Sequence, residues 1–249
     1  MMKEGIWNPW HGCIKYSEGC ANCYVYRRDA LYGKDSSIVA RTGEFDLPLR
    51  KGRDGSYRIP SGSGIFACMT SDFFIEAADE WRDAAWSMMR LRSDVDFSII
   101  TKRVLRIRSC LPEDWGDGWE KVAIGATVEN QRRAEERLDE FLMLPVKRKF
   151  LVCEPLLGPL QLERWLKTGK IERVVVGGES GASARTLDYA WVLTLREECL
   201  RTGTGFHFKQ TGARFVKDGK LYNIERLLQM PQARRAGIDI PPRENLDGI

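Results

Sequence analysis

Short apolar runs alternate along the chain with longer stretches of helical periodicity. Most of these runs are apolar at every position, which is typical of strands buried on both faces of a parallel sheet. The runs lie at 65–69, 97–100, 122–126, 150–153, 174–176 and 206–208, with a weaker one at residues 6–7. The pattern predicts about six to seven parallel strands.

Helices are predicted between the strands, because apolar residues return there at helical spacing. One face carries Trp81, Ala85 and Met88, and others carry residues 134, 138, 141 and 142 or residues 192, 195 and 199. Pro159 suits the first position of a further helix, and Gly203 the end of the last one. Strands and helices in this alternation predict an α/β protein with a full or partial (β/α) barrel.

A single domain over residues 1–249 is expected, since α/β barrels commonly have about this length. Residues 33–63 interrupt the alternation with many Gly and Ser and with six Lys or Arg against four Asp or Glu. We interpret them as a basic insertion, either functional or a solvated loop. From about residue 213 a C-terminal extension leaves the pattern, and the sequence at 217–220 predicts a hairpin turn.

Charge and residue usage exclude several classes of protein. There is no run of about 18 apolar residues and no signal-peptide segment, so a cytoplasmic protein without a membrane partner is expected. In a reducing compartment the seven cysteines should not form disulfides. The two histidines, His11 and His207, exclude a multi-histidine metal centre. A net charge of +4 permits a polyanionic partner without requiring one.

Three closely spaced cysteines form the strongest motif. Cys13, Cys20 and Cys23 follow the first predicted strand with the spacing C-x6-C-x2-C, in a segment rich in Gly and polar residues. Three thiolates on one loop suit an iron–sulfur cluster, and in a [4Fe-4S] cluster they leave one iron open. The alternative is a structural zinc with His11 as fourth ligand. The remaining cysteines are expected to be small buried side chains: Cys68, Cys110, Cys153 and Cys199.

Polar residues follow nearly every predicted strand at its carboxyl end, where the active sites of parallel barrels are built. Lys102 and Lys209 suit a carboxylate or phosphate, and Glu154 and Glu179 suit an amine or ribose hydroxyls. For three others a helix cap is the alternative: Ser71, Asp72 and Asn130. The candidates selected by this position are Ser71, Asp72, Lys102, Glu129, Asn130, Glu154, Glu179, Ser180, Lys209 and Gln210.

Two segments, WNPWHGC at 7–13 and GCANCY at 19–24, resemble the three-cysteine signature of a phage-borne family of radical S-adenosylmethionine (SAM) proteins. Further segments resemble the same family in the same order: TKR at 101–103, VEN at 128–130, CEPLLGP at 153–159, GGESG at 177–181 and FKQ at 208–210. The resemblance covers roughly residues 5–230. It implies a partial (β/α) barrel of radical SAM type, with a [4Fe-4S] cluster on Cys13, Cys20 and Cys23 and SAM on the open iron.

The resemblance also implies roles for the strand-end residues. Those near the cysteine loop would contact SAM: Tyr24, Ser71, Asp72, Lys102, Glu129 and Asn130. On the later strands, Glu154, Glu179 and Lys209 would be catalytic, and Ser180 and Gln210 would bind substrate. Reduction of the cluster by a reductant protein would split SAM into methionine and a 5′-deoxyadenosyl radical.

The substrate implied by the resemblance is a hypermodified base of phage DNA. We expect an isomerase that rearranges an amino-acid adduct of thymine, of the 5-glycylthymidine type, in the host cytoplasm. The base would be flipped out of the duplex. The basic insertion and a group of arginines would guide the DNA backbone: Arg103, Arg106, Arg108, Arg132 and Arg133. Two other interpretations stay open, namely a zinc-stabilised nucleic-acid-binding protein without catalysis and a radical SAM enzyme acting on a small free metabolite.

Overall fold

The structure is a computed structural model that describes residues 4–242, and strands alternate with helices over most of that range. The strands are β1 Glu4–Trp7, β2 Trp10–His11, β3 Ala40–Arg41, β4 Gly64–Ala67, β5 Asp96–Thr101, β6 Val122–Thr127, β7 Arg148–Cys153, β8 Ile171–Gly177, β9 Leu187–Asp188, β10 Gly205–Gln210, β11 Arg214–Lys217 and β12 Lys220–Asn223. The helices are α1 Tyr24–Ala30, α2 Asp79–Leu91, α3 Gln131–Met143, α4 Glu163–Leu166, α5 Tyr189–Thr202 and α6 Gln229–Arg235.

Seven of the strands form one parallel sheet in the order β1-β4-β5-β6-β7-β8-β10. Each of them coincides with one of the apolar runs, including the weak one at residues 6–7. Strand β6 is buried at all six positions, as expected for a strand covered on both faces. The α/β class and the partial (β/α) barrel are therefore confirmed.

The helical periodicity is confirmed for α2, α3 and α5. Each buries apolar residues along one face, for example Ala85 and Met88 in α2 and Leu138 in α3. Gly203 follows α5 with a φ of 65°, the left-handed conformation that ends a helix at low cost for glycine. These helices follow from spacing alone because each has one apolar face.

The predicted helix start at Pro159 is wrong, since α4 begins at Glu163. Two backbone N–H groups just before α4 donate hydrogen bonds to side chains on α3 and α5. The N–H of Gln161 donates to Gln131 Oε1 at 2.9 Å, and the N–H of Leu162 donates to Glu198 Oε2 at 2.6 Å. These contacts with residues distant in sequence fix the backbone groups that precede the short helix.

Residues 33–63 are fixed to the protein at several points. Trp7 Nε1 donates to the carbonyl of Phe45 at 3.1 Å, and Arg92 Nη1 donates to the carbonyl of Pro48 at 2.6 Å. All four of these residues are buried. Of the two interpretations of this segment, the structure therefore disfavours a loosely solvated loop.

The C-terminal extension contains the predicted hairpin. Strands β11 and β12 pair antiparallel, with Lys217 opposite Lys220. Asp218 and Gly219 between them have φ values of 53° and 73°. Positive φ at both central residues is the signature of the turn type that joins two-residue hairpins.

The chain divides into two compact units, each assembled from separate stretches of sequence. Unit 1 takes the residues up to 17, residues 25–125 and residues 143–148; unit 2 takes residues 18–24, residues 126–142 and the residues from 149 onward. Cys13 therefore belongs to unit 1, and Cys20 and Cys23 to unit 2. Among the described residues, none of the helices has the length and apolar character needed to cross a membrane.

Candidate functional site

The seven cysteines fall into two classes by burial. Those of the C-x6-C-x2-C motif are partly exposed, and the other four are buried. Burial raises the pKa of Cys68 and Cys153 well above the usual range and that of Cys199 to about 12. Such thiols stay protonated at neutral pH. The expectation that the four are ordinary buried side chains is confirmed.

The backbone around Cys13 is tightly held within unit 1. The N–H of Cys13 donates to the carbonyl of Ser36 at 2.7 Å. Gly12 has a φ of 93°, and a Cβ there would lie 2.1 Å from the carbonyl oxygen of Ile38. Only glycine fits this close approach of two backbone segments, so the position of Cys13 is set by the chain immediately before it.

A buried guanidinium lies beside Cys13. The side chain of Arg103 is 4% exposed, and its Nη1 lies 3.9 Å from Cys13 Sγ. Its Nη2 donates to the carbonyl of Ile14 at 2.9 Å. A side chain this buried has little surface to offer a DNA backbone, so the structure disfavours the predicted contact between Arg103 and DNA. Sequence reasoning missed its contact with the cysteine, although Arg103 stands at a strand end.

Three residues predicted to contact SAM lie near Cys13 in unit 1. Asp72 is buried and accepts from the Thr101 hydroxyl at 2.8 Å and from the N–H of Lys102 at 3.1 Å. The Ser71 hydroxyl donates to the carbonyl of Gly12. The structure thus brings Ser71, Asp72 and Lys102 to one place beside the cysteine segment, and their contact with SAM stays a prediction.

One polar atom at this strand end has no partner. The Oγ1 of Thr70 is buried, and no hydrogen bond to it is formed within residues 4–242. The carbonyl of the same residue accepts from the N–H of Gly12 at 3.2 Å. A buried hydroxyl without a partner is costly in an isolated protein, and a polar ligand bound here would satisfy it.

In unit 2, the segment that carries Cys20 and Cys23 is anchored through Glu18. Its Oε2 lies 2.6 Å from Arg133 Nη2, and its Oε1 accepts from Asn130 Nδ2 at 2.6 Å. Hydrogen bonds from Arg133 and then Asn130 lower the pKa of Glu18 to about 2. Asn130 Oδ1 also accepts from the N–H of Arg133 at 3.0 Å. The helix-cap alternative for Asn130 is therefore confirmed, and its contact with SAM stays a prediction.

Glu129 packs against the segment that carries Cys20 and Cys23. It is fully buried, and its Oε2 accepts from Arg137 Nη1 at 2.8 Å. A Cβ on Gly19 would lie 2.5 Å from Glu129 Oε1. The carboxylate therefore packs directly against the backbone that precedes Cys20, and its contact with SAM stays a prediction.

Glu179 is a second anchor of the Cys20–Cys23 segment. It accepts from Asn22 Nδ2 at 3.0 Å and from the backbone N–H of Arg185 at 2.8 Å, while the Arg185 guanidinium contacts both of its oxygens. Although burial opposes ionisation, hydrogen bonds from Arg185 and Asn22 lower the pKa of Glu179. An ionised carboxylate with both oxygens occupied is poorly suited to proton transfer. The geometry favours a positioning role over the predicted catalytic one.

Glu154 lies in a polar cluster that is more exposed to solvent than the surroundings of Glu179. Its Oε2 lies 2.6 Å from Lys209 Nζ, and its Oε1 accepts from Gln210 Nε2 at 2.6 Å. The side chain of Lys209 is 37% exposed and that of Glu154 is 16% exposed. The structure thus brings three predicted residues together around an ion pair that solvent and ligands can reach. Such a pair can bind polar groups of opposite charge or move a proton.

Tyr24 and Ser180 are the remaining predicted contacts. Tyr24 is 44% exposed, and Ser180 is half-buried. Both belong to unit 2. Their exposure leaves room for a ligand, and their predicted roles with SAM and with substrate stay predictions.

His11, the alternative zinc ligand, is paired with a buried carboxylate. Its Nε2 lies 2.7 Å from Asp29 Oδ2, and Asp29 also accepts from the Ser36 hydroxyl. A carboxylate on one imidazole nitrogen is the usual partner of a histidine that binds a metal through the other. The pair is compatible with zinc on Nδ1 of His11.

Several arginines expected to guide DNA pair with acidic side chains instead. Arg133 is 13% exposed and contacts Glu18, and Arg106 Nη2 lies 2.7 Å from Asp79 Oδ1. In the basic insertion, Arg50 Nη2 lies 2.6 Å from Asp46 Oδ1. Because these charges are neutralised locally, the structure adds no support to the predicted DNA contact.

The donor set fits an iron–sulfur cluster by its chemistry. Three partly exposed thiols are available, Arg103 donates to one of them, and the nearby Thr70 hydroxyl lacks a partner among the described residues. Over residues 4–242 there is no arranged group of three or more His, Cys, Asp or Glu side chains that could hold a metal ion. The case for the cluster therefore rests on the motif and on the surroundings of each cysteine.

The fold and the cysteine motif define a partial (β/α) barrel protein with three accessible thiols on one loop segment. The chain belongs to the family described as "Protein of unknown function (DUF5131)", whose model matches residues 2–237. No curated protein and no solved structure matches it. The family description assigns no activity.

Proposed function

We propose that this protein is a radical SAM enzyme whose [4Fe-4S] cluster is held by Cys13, Cys20 and Cys23. One observation carries the proposal: the cysteines of the motif are the partly exposed ones, and the other four are buried. Accessible thiolates at close spacing are the ligands of iron–sulfur clusters. When bound, the cluster supplies the electron that splits SAM and yields a 5′-deoxyadenosyl radical.

The chain's own residues would bind and orient SAM beside the cluster. Ser71, Asp72 and Lys102 are proposed for its polar groups because they lie next to the segment that leads to Cys13. Tyr24 is proposed for its adenine because the ring is exposed. Burial of Glu129 favours a supporting role there. Exclusion of water from this site would protect a reactive radical.

The substrate group is proposed at Glu154, Lys209 and Gln210, with Ser180 as a further contact. An ammonium and a carboxylate side by side match the two charges of an amino-acid group. This supports an amino-acid group as part of the substrate. That the group is an adduct of thymine in phage DNA, and that the reaction is its isomerisation, is proposed from the resemblance of the motifs. The proposal includes a reductant protein as partner and the host cytoplasm as location.

The test is cleavage of SAM by the reconstituted protein. The chain is loaded anaerobically with iron and sulfide, reduced with dithionite and assayed for 5′-deoxyadenosine. Wild type and Cys68→Ala should form the product, whereas Cys13→Ala should not. A wild type that holds a cluster and leaves SAM intact under strong reductant contradicts the proposal.

A second candidate function, a zinc-stabilised nucleic-acid-binding protein, is favoured by one observation. The pairing of His11 Nε2 with buried Asp29 is an arrangement found at zinc ligands. Under this alternative, His11→Ala loses bound zinc together with thermal stability. Under the radical SAM proposal, the same variant keeps its iron–sulfur cluster, because the fourth position belongs to SAM.

A further inference from the structure

Arg103 combines deep burial with a contact to one of the proposed cluster ligands. Its side chain is 4% exposed, and its Nη1 lies 3.9 Å from Cys13 Sγ. An arginine stays protonated in proteins and carries only donors. The structure therefore places a permanent positive charge and an N–H donor at this sulfur.

The guanidinium is held in place from several sides. Its Nη2 donates to the carbonyl of Ile14 at 2.9 Å, and its Nη1 lies 3.3 Å from Asp72 Oδ2. The backbone N–H of Arg103 donates to the Thr101 hydroxyl at 2.8 Å, and that hydroxyl donates to Asp72 Oδ1 at 2.8 Å. Glu76, 3.5 Å from Arg103 Nε, is 57% exposed and well solvated. The donor is thus fixed before any cluster binds.

We infer that Arg103 is a positioning residue that sets the reduction potential of the cluster through Cys13, an inference that rests on the proposed function. A donor to a ligating thiolate stabilises the reduced cluster, which carries more negative charge. The buried guanidinium charge acts in the same direction, and its pairing with Asp72 at 3.3 Å offsets part of that charge. Arg103 therefore makes the cluster easier to reduce.

Arg82 provides a matched control within unit 1. Its side chain is 5% exposed and pairs with Asp79, with Nη1 2.5 Å from Oδ1. Its other hydrogen bonds go to the carbonyls of Phe73 and Ile75 at 2.9 and 2.6 Å. Replacing Arg82 removes a buried cation of similar environment without removing a donor to a cluster ligand.

The experiment is an EPR-monitored redox titration of the reconstituted full chain. Arg103→Gln should shift the midpoint to a more negative potential, by roughly a tenfold change in the ratio of oxidised to reduced cluster, or about 59 mV for one electron. Arg103→Lys should shift it less, since the charge is retained and the fork of donors is lost. Arg82→Gln should leave the midpoint unchanged.

The outcomes separate this inference from the proposed function. A wild type without a [4Fe-4S] signal overturns the proposed function. A wild type with that signal, and a midpoint equal to that of Arg103→Gln, overturns only the role of Arg103. If Arg103→Gln does not load the cluster, Arg103→Lys is compared with Arg82→Lys; a negative shift in the first alone supports the inference, and equal midpoints overturn it.

Discussion

The cysteine loop and the cysteines of the interior differ in what holds them in place. Cys68, Cys153 and Cys199 lie in or beside strands and a helix, where burial is the main cause of the raised pKa values of their thiols. Cys13, Cys20 and Cys23 are partly exposed, and their segments are held by polar contacts. Interior thiols serve packing, whereas loop thiols need external support to keep a useful geometry.

In each of the two units an arginine side chain supports the cysteine segment. In unit 1, buried Arg103 contacts Cys13 Sγ and the carbonyl of Ile14. In unit 2, Arg185 binds Glu179 and also donates to the carbonyl of Glu18 at 2.9 Å. Arginine suits this work because its planar fork can bind several acceptors at once.

The largest expected difference between the two regions is in cluster binding. Alanine at Cys13, Cys20 or Cys23 should abolish the visible absorbance of the reconstituted cluster, because each removes one iron ligand. Cys68→Ala should keep it in full. If Cys68→Ala and Cys13→Ala lost the same amount of cluster absorbance, the exposed and buried cysteines would not differ in cluster binding.

Of the carboxylates Glu179 and Glu154, only Glu179 holds the segment that carries Cys20 and Cys23. Glu179→Gln should lower the free energy of unfolding by about 1–3 kcal/mol, since charged hydrogen bonds to Arg185 and Asn22 are weakened. Glu154→Gln should cost less than about 1 kcal/mol at its accessible ion pair and keep the cluster while losing substrate turnover. Urea unfolding and iron content measure these effects. A larger loss of stability in Glu154→Gln than in Glu179→Gln would contradict the structural role assigned to Glu179.

A smaller effect is expected from an interior cysteine. Cys199 is fully buried, and Cys199→Ala removes only its sulfur atom, so it should cost about 1 kcal/mol of stability. The iron content of the reconstituted protein should not change. Loss of iron at unchanged stability would place Cys199 in the metal site.

The smallest effect is the pH dependence of the anchor at Glu18. Its pKa falls from 4.5 in the unfolded chain to about 2 in the folded protein, so the unfolded state binds the proton first. The contribution to stability is complete above about pH 4.5 and is lost as the pH falls toward 2. It should not exceed about 1 kcal/mol, because the side chain is partly solvated. Glu18→Gln should flatten this part of the curve of stability against pH. An unchanged curve would show that ionised Glu18 does not stabilise the folded protein.

The fold was predictable because its signals are local. Strands covered on both faces appear as uninterrupted apolar runs, and Asp218-Gly219 forms a turn through the intrinsic preferences of those residues. The late start of α4 was not predictable, because it depends on Gln131 and Glu198, which bind the preceding backbone groups from distant parts of the sequence.

The candidate site was predictable in its residue types and less so in its contacts. The grouping of Glu154 with Lys209 follows from strand ends in one parallel sheet. Arg103 follows a lysine and resembles a surface base in sequence, and only tertiary packing buries it. The hydrogen bonds from Arg185 to Glu179 depend on the conformation of the loop between them. That conformation cannot be predicted from the spacing of apolar residues.

Iron and sulfide analysis of the anaerobically reconstituted wild type, together with zinc analysis of the protein as purified, tests the central claim most directly. We expect about four irons and about four sulfides for each chain and the EPR signal of a reduced [4Fe-4S] cluster. A colourless protein that carries one zinc for each chain and takes up no iron contradicts it.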